Sequence, residues 1–580
     1  MEDQIVSAIQ IAWEPTAPQA QKPAAFEYVN RLRQEPQAWE PCINIFTRLP
    51  RHIEVARIFS LEIVNNAIQA GLLDQAGLDL VKNRLLQYLR SEYAYATNDV
   101  HKPPPDSSAI ENKIAQTITY LFCSLYPTTW TTFFDDLLSL TTTGSGQRDS
   151  LIGVAFYLRV VNSVHDEVGD VLVAKSKEEQ EKANALKDLL RARDVARIAQ
   201  SWQEILSHWQ TRSGVIGELT MSAIGKWVSW IDIGLVVNQN MLQLMSQQVQ
   251  QNRVQGLEDA EELARDKALA AFTEIVSKKM PSVDKINMIE FIGLQDMIEK
   301  LGAWPILNNQ KSSDYDVDLA EEVAKLVAVA LQDIMRVLDT EQQSSGVWRK
   351  AEQMLRAFLP QLLRYFSDQY DEVCSHVLPA MTDVLAYFRK AFQGDEYMSQ
   401  RASVLVPILQ AIFVKSRIED YNDNDGEYDG DNTEEAEFLE LRKRLSTLQQ
   451  SIAATDEQLY MDAVSAMIND TFEKFQRPGQ NVDWRDLDLA LHEMYLMGDL
   501  AVRNGGLYQK AKPNSPAAER LIRMMLVMVQ SSIGSTRTPA LQVQYMEICN
   551  RYSMFFEKHS QYVQPVLQNF LNNAHSPNTR

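Results

Sequence analysis

The sequence predicts an all-α protein, a superhelical solenoid of stacked helical hairpins (an α-α superhelix), and three observations support this fold class. Glycine contributes only 22 of 580 residues, whereas helix-favouring residues such as Leu, Ala, Gln and Glu are plentiful. Apolar residues recur at helical spacing along most of the chain. Polar breaks separate these segments at intervals of roughly one to two dozen residues, the usual length of a globular helix.

The length of the chain favours a repeat array or several domains. A chain of 580 residues exceeds the size at which a single hydrophobic core stops growing. Its 45% hydrophobic and 23% charged residues are typical of globular proteins and exclude a largely disordered chain. We therefore expect a substantial core.

Amphipathic stripes indicate the individual helices. In one segment Val55, Ile58, Phe59 and Ile63 stand at offsets of 0, 3, 4 and 8, which places them on one side of a helix. Strand-like alternation is scarce. The segments that share the helical pattern are 55–63, 114–125, 224–235, 359–366 and 378–388.

Short polar breaks join these helices into predicted hairpins. No tight sequence period is visible, which favours the degenerate HEAT-repeat class over ankyrin or tetratricopeptide arrays. Pro379 and Pro407 are predicted at or near the starts of apolar helices, where a missing N–H costs little. The breaks are 102–108, 141–149, 308–316, 342–346 and 477–482.

Net charge limits how the chain could contact nucleic acid. The formal charge is −21 and the isoelectric point is near 4.9. This balance argues against a protein that coats nucleic acid with an undifferentiated basic surface. Any RNA contact is therefore expected to use a local patch.

The four cysteines indicate neither a disulfide framework nor a zinc site. Cys42, Cys123, Cys374 and Cys549 are far apart and form no CxxC pair, which favours a reducing compartment. The amino terminus does not resemble a secretory signal, and no membrane-spanning run is visible.

Catalytic and cofactor motifs are not found. The eight histidines show no HxxxH or HExxH spacing, and no GxSxG elbow occurs. The glycines in 144–146 lack a third glycine at nucleotide-binding spacing, and Gly225-Lys226 is followed by Trp227 instead of Ser or Thr. We therefore expect no enzyme activity, no metal and no cofactor.

The segment 419–440 contains eleven acidic residues and no basic one. As an EF-hand loop starting at Asp425 it fails at two positions, because Asn432 stands where an apolar anchor is needed and Ala436 where a bidentate glutamate is needed. A solvated acidic loop and an electrostatic contact for a basic partner both remain open.

Basic residues flank the acidic segment on both sides. Lys415 and Arg417 precede it, and Arg442, Lys443 and Arg444 follow it. These cations could contact phosphates. They could equally complement helix dipoles or balance the acidic segment.

Five segments in order resemble the exportin-T (tRNA exportin) family of the importin-beta/karyopherin superfamily. The first leads through a turn to a helix with Trp130, Phe133 and Phe134, and the fourth is the acidic loop followed by Glu437-Phe438 and an arginine-lysine pair. The segments are NKIAQTITYLFCSLYPTTWTTFFDDLL (112–138), KWVSWIDIGLVVN (226–238), KKMPSVDKINMIE (278–290), the acidic loop, and WRDLDLALHEMYLMGDL (484–500).

The resemblance implies a domain organisation and a function. It divides the chain into importin-beta-like amino-terminal HEAT repeats (1–100), an exportin-1-like region (101–250), central HEAT repeats (251–418), the acidic loop (419–437) and further HEAT repeats (438–580), without the family's carboxy-terminal arch. It implies a non-enzymatic receptor that shuttles between nucleus and cytoplasm through FG-repeat proteins of the nuclear pore. Such a receptor binds tRNA together with GTP-loaded Ran and releases it after GTP hydrolysis, with the GTP carried by Ran.

The resemblance also suggests where the partners bind. Candidate Ran contacts are Asn112, Lys113 and Gln116, beside the apolar stripe of the signature helix. Candidate tRNA contacts, chosen by charge and place alone, are Lys226, Lys415, Arg417, Arg442, Lys443 and Arg444.

Two other functions remain open at this stage. One is an exportin or importin for a folded protein cargo, against which the helix with Trp227 and Trp230 and the acidic segment argue. The other is a static helical scaffold with no nucleotide-dependent partner, which a Ran pull-down would separate.

Overall fold

The computed structural model forms two compact units, Met1–Gly293 and Leu294–Arg580. The predicted five-part division of the chain stays a prediction. Most of the acidic loop, at 419–432, lies outside the described residues, and so does the start of the hypothetical EF-hand. The structure describes residues 2–93, 104–144, 146–170, 174–250, 259–391, 393, 398–418, 433–477, 479, 482–503, 505–536 and 538–573.

In its described residues, the first unit consists of helices joined by turns and loops, without β-strands. Short turns at Ser139–Thr141 and Ile233–Leu235 are 3-10 helical, and the turn at His165–Gly169 is π-helical. Its α-helices are α1 Glu2–Trp13, α2 Lys22–Gln34, α3 Trp39–Thr47, α4 Glu54–Gln69, α5 Gln75–Glu92, α6 Ser108–Leu125, α7 Phe133–Leu138, α8 Leu151–Val164, α9 Lys177–Arg193, α10 Val195–Trp209, α11 Gly214–Val228, α12 Gln239–Val249, α13 Asp259–Ser277 and α14 Ser282–Ile292.

The second unit is built in the same way. In its described part, strand structure is confined to the pair Tyr508–Gln509 and Lys512–Pro513, which is antiparallel. Its α-helices are α15 Leu294–Gly302, α16 Pro305–Asn308, α17 Val317–Thr340, α18 Gly346–Phe366, α19 Asp371–Ala391, α20 Met398–Ser416, α21 Thr433–Thr455, α22 Glu457–Gln476, α23 Trp484–Val502, α24 Pro516–Gln530, α25 Pro539–Arg551 and α26 Val563–Asn573. Its 3-10 turns are Ile533–Ser535, Ser553–Glu557 and Ser560–Tyr562.

Helices within each unit pack in the pattern of stacked hairpins. In the first unit α4 contacts α6, α6 contacts α8, α8 contacts α11 and α11 contacts α13. In the second unit α17, α19 and α21 form one such series, while α18, α20, α22 and α24 form another. Each repeat thus buries its apolar stripe against its neighbours, as HEAT-type arrays do.

Local sequence signals explain most helix starts. Asp74, Ser107 and Ser345 each accept a hydrogen bond from the backbone N–H three residues later, which satisfies a donor that the first turn leaves free. The stripe 114–125 is fully buried in α6, as predicted. In α4 the prediction holds less well, because Val55 is exposed in the first turn.

Two features of the predicted helices are wrong. The stripe 224–235 is not one helix, because α11 ends at Val228 and a separate 3-10 turn follows. Pro379 and Pro407 are also not at helix starts, since both lie inside helices, α19 and α20. The carbonyl four residues before each proline therefore receives no helical hydrogen bond from it.

The cysteines are unpaired, as predicted. Cys42, Cys374 and Cys549 are buried, and burial raises the pKa of each thiol to about 12. The described residues include no group of three or more His, Cys, Asp or Glu side chains that could hold a metal ion.

Among the described helices, none is both long enough and apolar enough to cross a membrane.

Candidate partner and nucleic-acid interfaces

The predicted Ran contacts lie together on α6. Asn112 is exposed and its Oδ1 accepts a hydrogen bond from Arg159 of α8 at 2.9 Å. Lys113 donates to Gln116 Oε1 at 3.1 Å, and the Gln116 amide donates to the Tyr120 hydroxyl at 2.9 Å. The structure thus brings the three candidates into one polar surface. Their contact with Ran stays a prediction.

The aromatic signature next to this surface belongs to the core. Trp130, Phe133 and Phe134 are all buried, and the rings of Phe122 and Phe133 lie 4.6 Å apart. The Trp130 indole donates to Asp136 at 2.9 Å, which fixes the turn before α7. These residues therefore position α6 and make no surface of their own.

A buried ion cluster holds the start of α6 in place. Asp106, in the break that precedes the helix, accepts hydrogen bonds from Arg57 at 2.6 Å, from Tyr88 at 2.6 Å and from Tyr93 at 3.0 Å. Arg57 and Asp106 are both buried. Because each buried charge has a partner, the cluster can fix the break against α4 and α5.

Lys226 of α11 is the one predicted tRNA contact in the first unit. Its ammonium forms an ion pair with Asp166 at 2.7 Å, and about a third of its side chain is exposed. The neighbouring Trp227 is buried and donates to the Val161 carbonyl at 3.1 Å. The tryptophan motif is therefore core packing that places Lys226 at the surface.

Four further cations of the first unit were not among the predicted sites, and we call them the α9 cation cluster: Lys175, Lys187, Arg191 and Lys278. They belong to three separate segments of the chain, and only Lys187 and Arg191 share helix spacing. No sequence motif joins them, so sequence reasoning missed the cluster.

Backbone carbonyl oxygens hold three members of the α9 cation cluster. Arg191 Nε donates to the Trp230 carbonyl at 2.8 Å, and Lys175 donates to the Glu167 carbonyl. The Lys278 ammonium donates to three carbonyls at the end of α11, at 2.7 Å, 2.8 Å and 3.3 Å. Carbonyl oxygens orient Lys175 and Lys278 without neutralising them, whereas Arg191 also pairs with the Asp188 carboxylate at 2.6 Å.

In the second unit, two predicted tRNA contacts are buried in ion pairs. Lys415 is buried, donates to the Asp368 carbonyl at 2.8 Å and pairs with the Asp371 carboxylate. Arg442 is 4% exposed and pairs with the fully buried Asp488 at 2.6 Å. This geometry favours the alternative interpretation from the sequence, in which these cations balance local charge. Their contact with tRNA stays an untested prediction.

Arg417 is also held by carboxylates. Its guanidinium donates to Asp486 at 2.6 Å and to Asp483 at 3.0 Å, at the start of α23. These bonds link the end of α20 to α23. A phosphate would have to compete with two carboxylates for this side chain.

Lys443 and Arg444 point to solvent on α21. Lys443 is 78% exposed, with Glu440 at 3.6 Å as its partner. Arg444 lines a cleft of about 510 Å³ together with four carboxylate residues, which makes the cleft unfavourable for phosphate. Of the predicted contacts in this unit, Lys443 is the one most available to an anion. The acidic residues of the cleft are Asp371, Glu372, Glu437 and Glu440.

Two adjacent residues of α23 have strongly shifted pKa values. Burial raises the pKa of Glu493 from 4.5 to about 7, although its carboxylate accepts from Gln449 at 2.8 Å. Burial, assisted by the positive charge of Arg442, lowers the pKa of His492 from 6.5 to about 3. Both side chains are therefore close to neutral inside the fold near pH 6.

The sequence matches family models and relatives of one kind of protein along the chain. A family model described as Exportin-T matches residues 345–580, and one described as Exportin 1-like protein matches residues 107–263. Exportin-T of Aspergillus terreus is 52% identical over 581 positions, and Exportin-T of Emericella nidulans is 51% identical over 584. Both alignments cover all of this chain. Over its whole length the chain is therefore similar to exportin-T proteins.

The exportin-T relatives are longer than this chain, which spans 56% of the length of each of the two. A solved structure titled Importin13 cytosolic state aligns with a TM-score of 0.61 at 11% identity, covering 86% of this chain and 54% of that one. This likeness concerns the fold alone, and it confirms the predicted all-α HEAT-repeat superhelix.

Proposed function

We propose that this chain is part of a tRNA nuclear export receptor. In this proposal it binds tRNA together with GTP-loaded Ran in the nucleus and releases tRNA in the cytoplasm after GTP hydrolysis. The supporting observation is the match over the whole chain to Exportin-T relatives at about half identity. The receptor is not an enzyme and needs no cofactor of its own, because Ran carries the GTP.

In this receptor, different surfaces contact Ran and tRNA. The polar surface of Asn112, Lys113 and Gln116 contacts Ran, while exposed cations such as Lys443 contact tRNA phosphates. A receptor for all tRNAs must read shape and backbone, because the major groove of A-form RNA is too deep and narrow for side chains to read bases. Contacts with FG-repeat proteins carry the receptor through the nuclear pore.

Coupling between Ran and tRNA requires no catalytic group. If both ligands favour the same conformation of the helical array, each raises the affinity for the other by the same factor. Binding of tRNA should also weaken steeply as salt rises, because phosphate contacts release counterions.

The test measures binding of fluorescent tRNA to the chain alone, with GTP-loaded Ran and with GDP-loaded Ran. We expect tighter binding only with GTP-loaded Ran, and an equal gain in Ran affinity when tRNA is present. A second arm uses the chain extended with the remaining residues of the Aspergillus terreus relative, which should bind tRNA more tightly. Equal tRNA affinity with both forms of Ran, in both arms, would rule out the proposal.

A further inference from the structure

We propose that the α9 cation cluster, Lys175, Lys187, Arg191 and Lys278, is a binding site for the phosphate backbone of tRNA. The assignment of tRNA as the occupant rests on the proposed function. The existence of an anion site rests on the geometry of the cluster itself.

Lys187 is a buried cation without a counter-ion among the described residues. Its side chain is 7% exposed, and with the described residues it makes neither a hydrogen bond nor an ion pair. Burial and the nearby charges of Lys175 and Arg191 lower its pKa. A cation in such surroundings is unfavourable unless an anion compensates it.

The neighbouring cations add to this unbalanced charge. Lys278 feels the repulsion of Arg191, and desolvation together with this repulsion lowers its pKa. Asp188 pairs with Arg191 at 2.6 Å, and Asp232 lies near Lys278. The Glu179 carboxylate lies near Lys175, so four cations face three carboxylates. This local excess of positive charge stands in a chain whose net charge is −21.

The elements that present the cluster are firmly placed. The π-helical turn His165–Gly169 contacts α9 and α11, and α11 packs along α13. The Arg191 guanidinium also lies 5.6 Å from the centre of the Trp230 ring. Donors fixed in this way lose little conformational freedom when an anion arrives.

A phosphate backbone fits these donors better than a single small anion. The four cations come from three separate segments of the sequence, and a chain of phosphates offers an acceptor to each of them. Lysine ammonium groups bind phosphate as point charges and read no base, which suits a receptor for tRNAs of different sequence.

The experiment compares the full chain with the variant Lys187→Gln/Arg191→Gln and with Lys182→Gln. Lys182 stands on the same helix and pairs with Glu178, so it controls for loss of charge on α9. Binding of fluorescent tRNA with GTP-loaded Ran is measured from low to high salt. We expect the double variant to lose at least about tenfold in affinity. The slope of log affinity against log salt concentration should become shallower by about two, one for each cation removed. The slope for Lys182→Gln should equal that of the unsubstituted chain.

A second readout separates this inference from the proposed function. Inorganic tripolyphosphate should raise the thermal midpoint of the full chain and of Lys182→Gln, but not that of the double variant. If the full chain binds tRNA and the double variant matches Lys182→Gln in affinity and slope, the cluster is not the site, whereas the proposed function stands. If tripolyphosphate binding depends on the cluster but tRNA does not bind at all, the proposed function and the tRNA assignment both fall.

Urea midpoints of all three proteins, measured without ligand, show whether the double substitution preserves the fold. If it does not, Arg191→Gln alone replaces it, with an expected change of one in the salt slope. Arg191 is exposed, so its replacement leaves the core intact.

Discussion

The α9 cation cluster of the first unit and two buried cations of the second unit are held in different ways. In this cluster, Lys278 is bonded to backbone carbonyl oxygens, and Lys187 has no acceptor among the described residues. Arg191 is bonded to a carbonyl oxygen and also to the Asp188 carboxylate. In the second unit, Lys415 and Arg442 are as buried as Lys187, but they are paired with carboxylates of other helices. A carbonyl oxygen leaves the formal charge of a cation available, whereas a carboxylate cancels it.

This comparison shows that exposure alone does not identify a cation that can bind phosphate. The acceptor that already holds the cation matters as much. The buried pairs of Lys415 and Arg442 mainly stabilise the fold, while the α9 cation cluster carries the charge that the proposed anion site uses. Substitutions can test each half of this statement.

The largest expected effect concerns Arg442. Its replacement in Arg442→Met leaves Asp488 buried, with Gln544 at 2.6 Å as its remaining side-chain donor among the described residues. Removing one partner of a buried ion pair costs about 3–5 kcal/mol. Urea unfolding of the second unit should show this loss. The exposed neighbour provides the control, since Lys443→Met should change stability by less than about 0.5 kcal/mol. Equal effects would remove the distinction between the two cations.

A second prediction concerns the shifted pKa values of Glu493 and His492. Between pH 4.5 and 6.5 the folded chain keeps the Glu493 proton, which the unfolded chain has lost, and lacks the His492 proton, which the unfolded chain has gained. The two contributions oppose each other, so together they make stability nearly independent of pH in this window.

Glu493→Gln removes one side of this balance. Of the two groups, only His492 then titrates. Because the unfolded chain binds its proton below pH 6.5 and the folded chain does not, the free energy of unfolding falls as pH drops. At pH 5 the variant should lose about 2 kcal/mol relative to its own value at pH 7. Urea midpoints at the two pH values measure this. His492→Asn should change in the opposite direction, gaining stability on acidification. If the stability of both variants responded to pH as the unsubstituted chain does, the shifted pKa values of Glu493 and His492 would be wrong.

The smallest expected effect concerns Lys187 in the first unit. Lys187→Met keeps the apolar stem and removes a cation that repels Lys175 and Arg191. Without a bound anion, this should raise the free energy of unfolding by up to about 1 kcal/mol, because the repulsion is partly screened by solvent. Thermal and urea midpoints at low salt provide the measurement, with Lys182→Met as the control. A clear loss of stability would mean that Lys187 serves the fold.

Helical spacing was enough to predict much of the fold. The stripe 114–125 became the buried face of α6, because period and composition alone decide which residues face the core. Trp130, Phe133 and Phe134 belonged to a signature that the resemblance already contained. The all-α class therefore followed from local information.

Tertiary contacts explain where prediction failed. The stripe 224–235 is interrupted at the place where the Lys278 ammonium bonds the carbonyls of Val228 and Ile231. Lys278 is about fifty residues away, so no local window contains it. The same limit applies to the candidate sites. The sequence shows that Lys415 and Arg442 are charged, but not that a distant carboxylate already holds each of them.

The buried cysteines have a practical consequence. Cys42 lies in the first unit, and Cys374 and Cys549 lie in the second. Because the pKa of each thiol is about 12, almost none is present as the reactive thiolate at neutral pH while the fold is intact. Pulses of an alkylating reagent should therefore modify each cysteine only when its surroundings open. Mapping the modified peptides would time the opening of each unit separately, with no foreign label added to the chain.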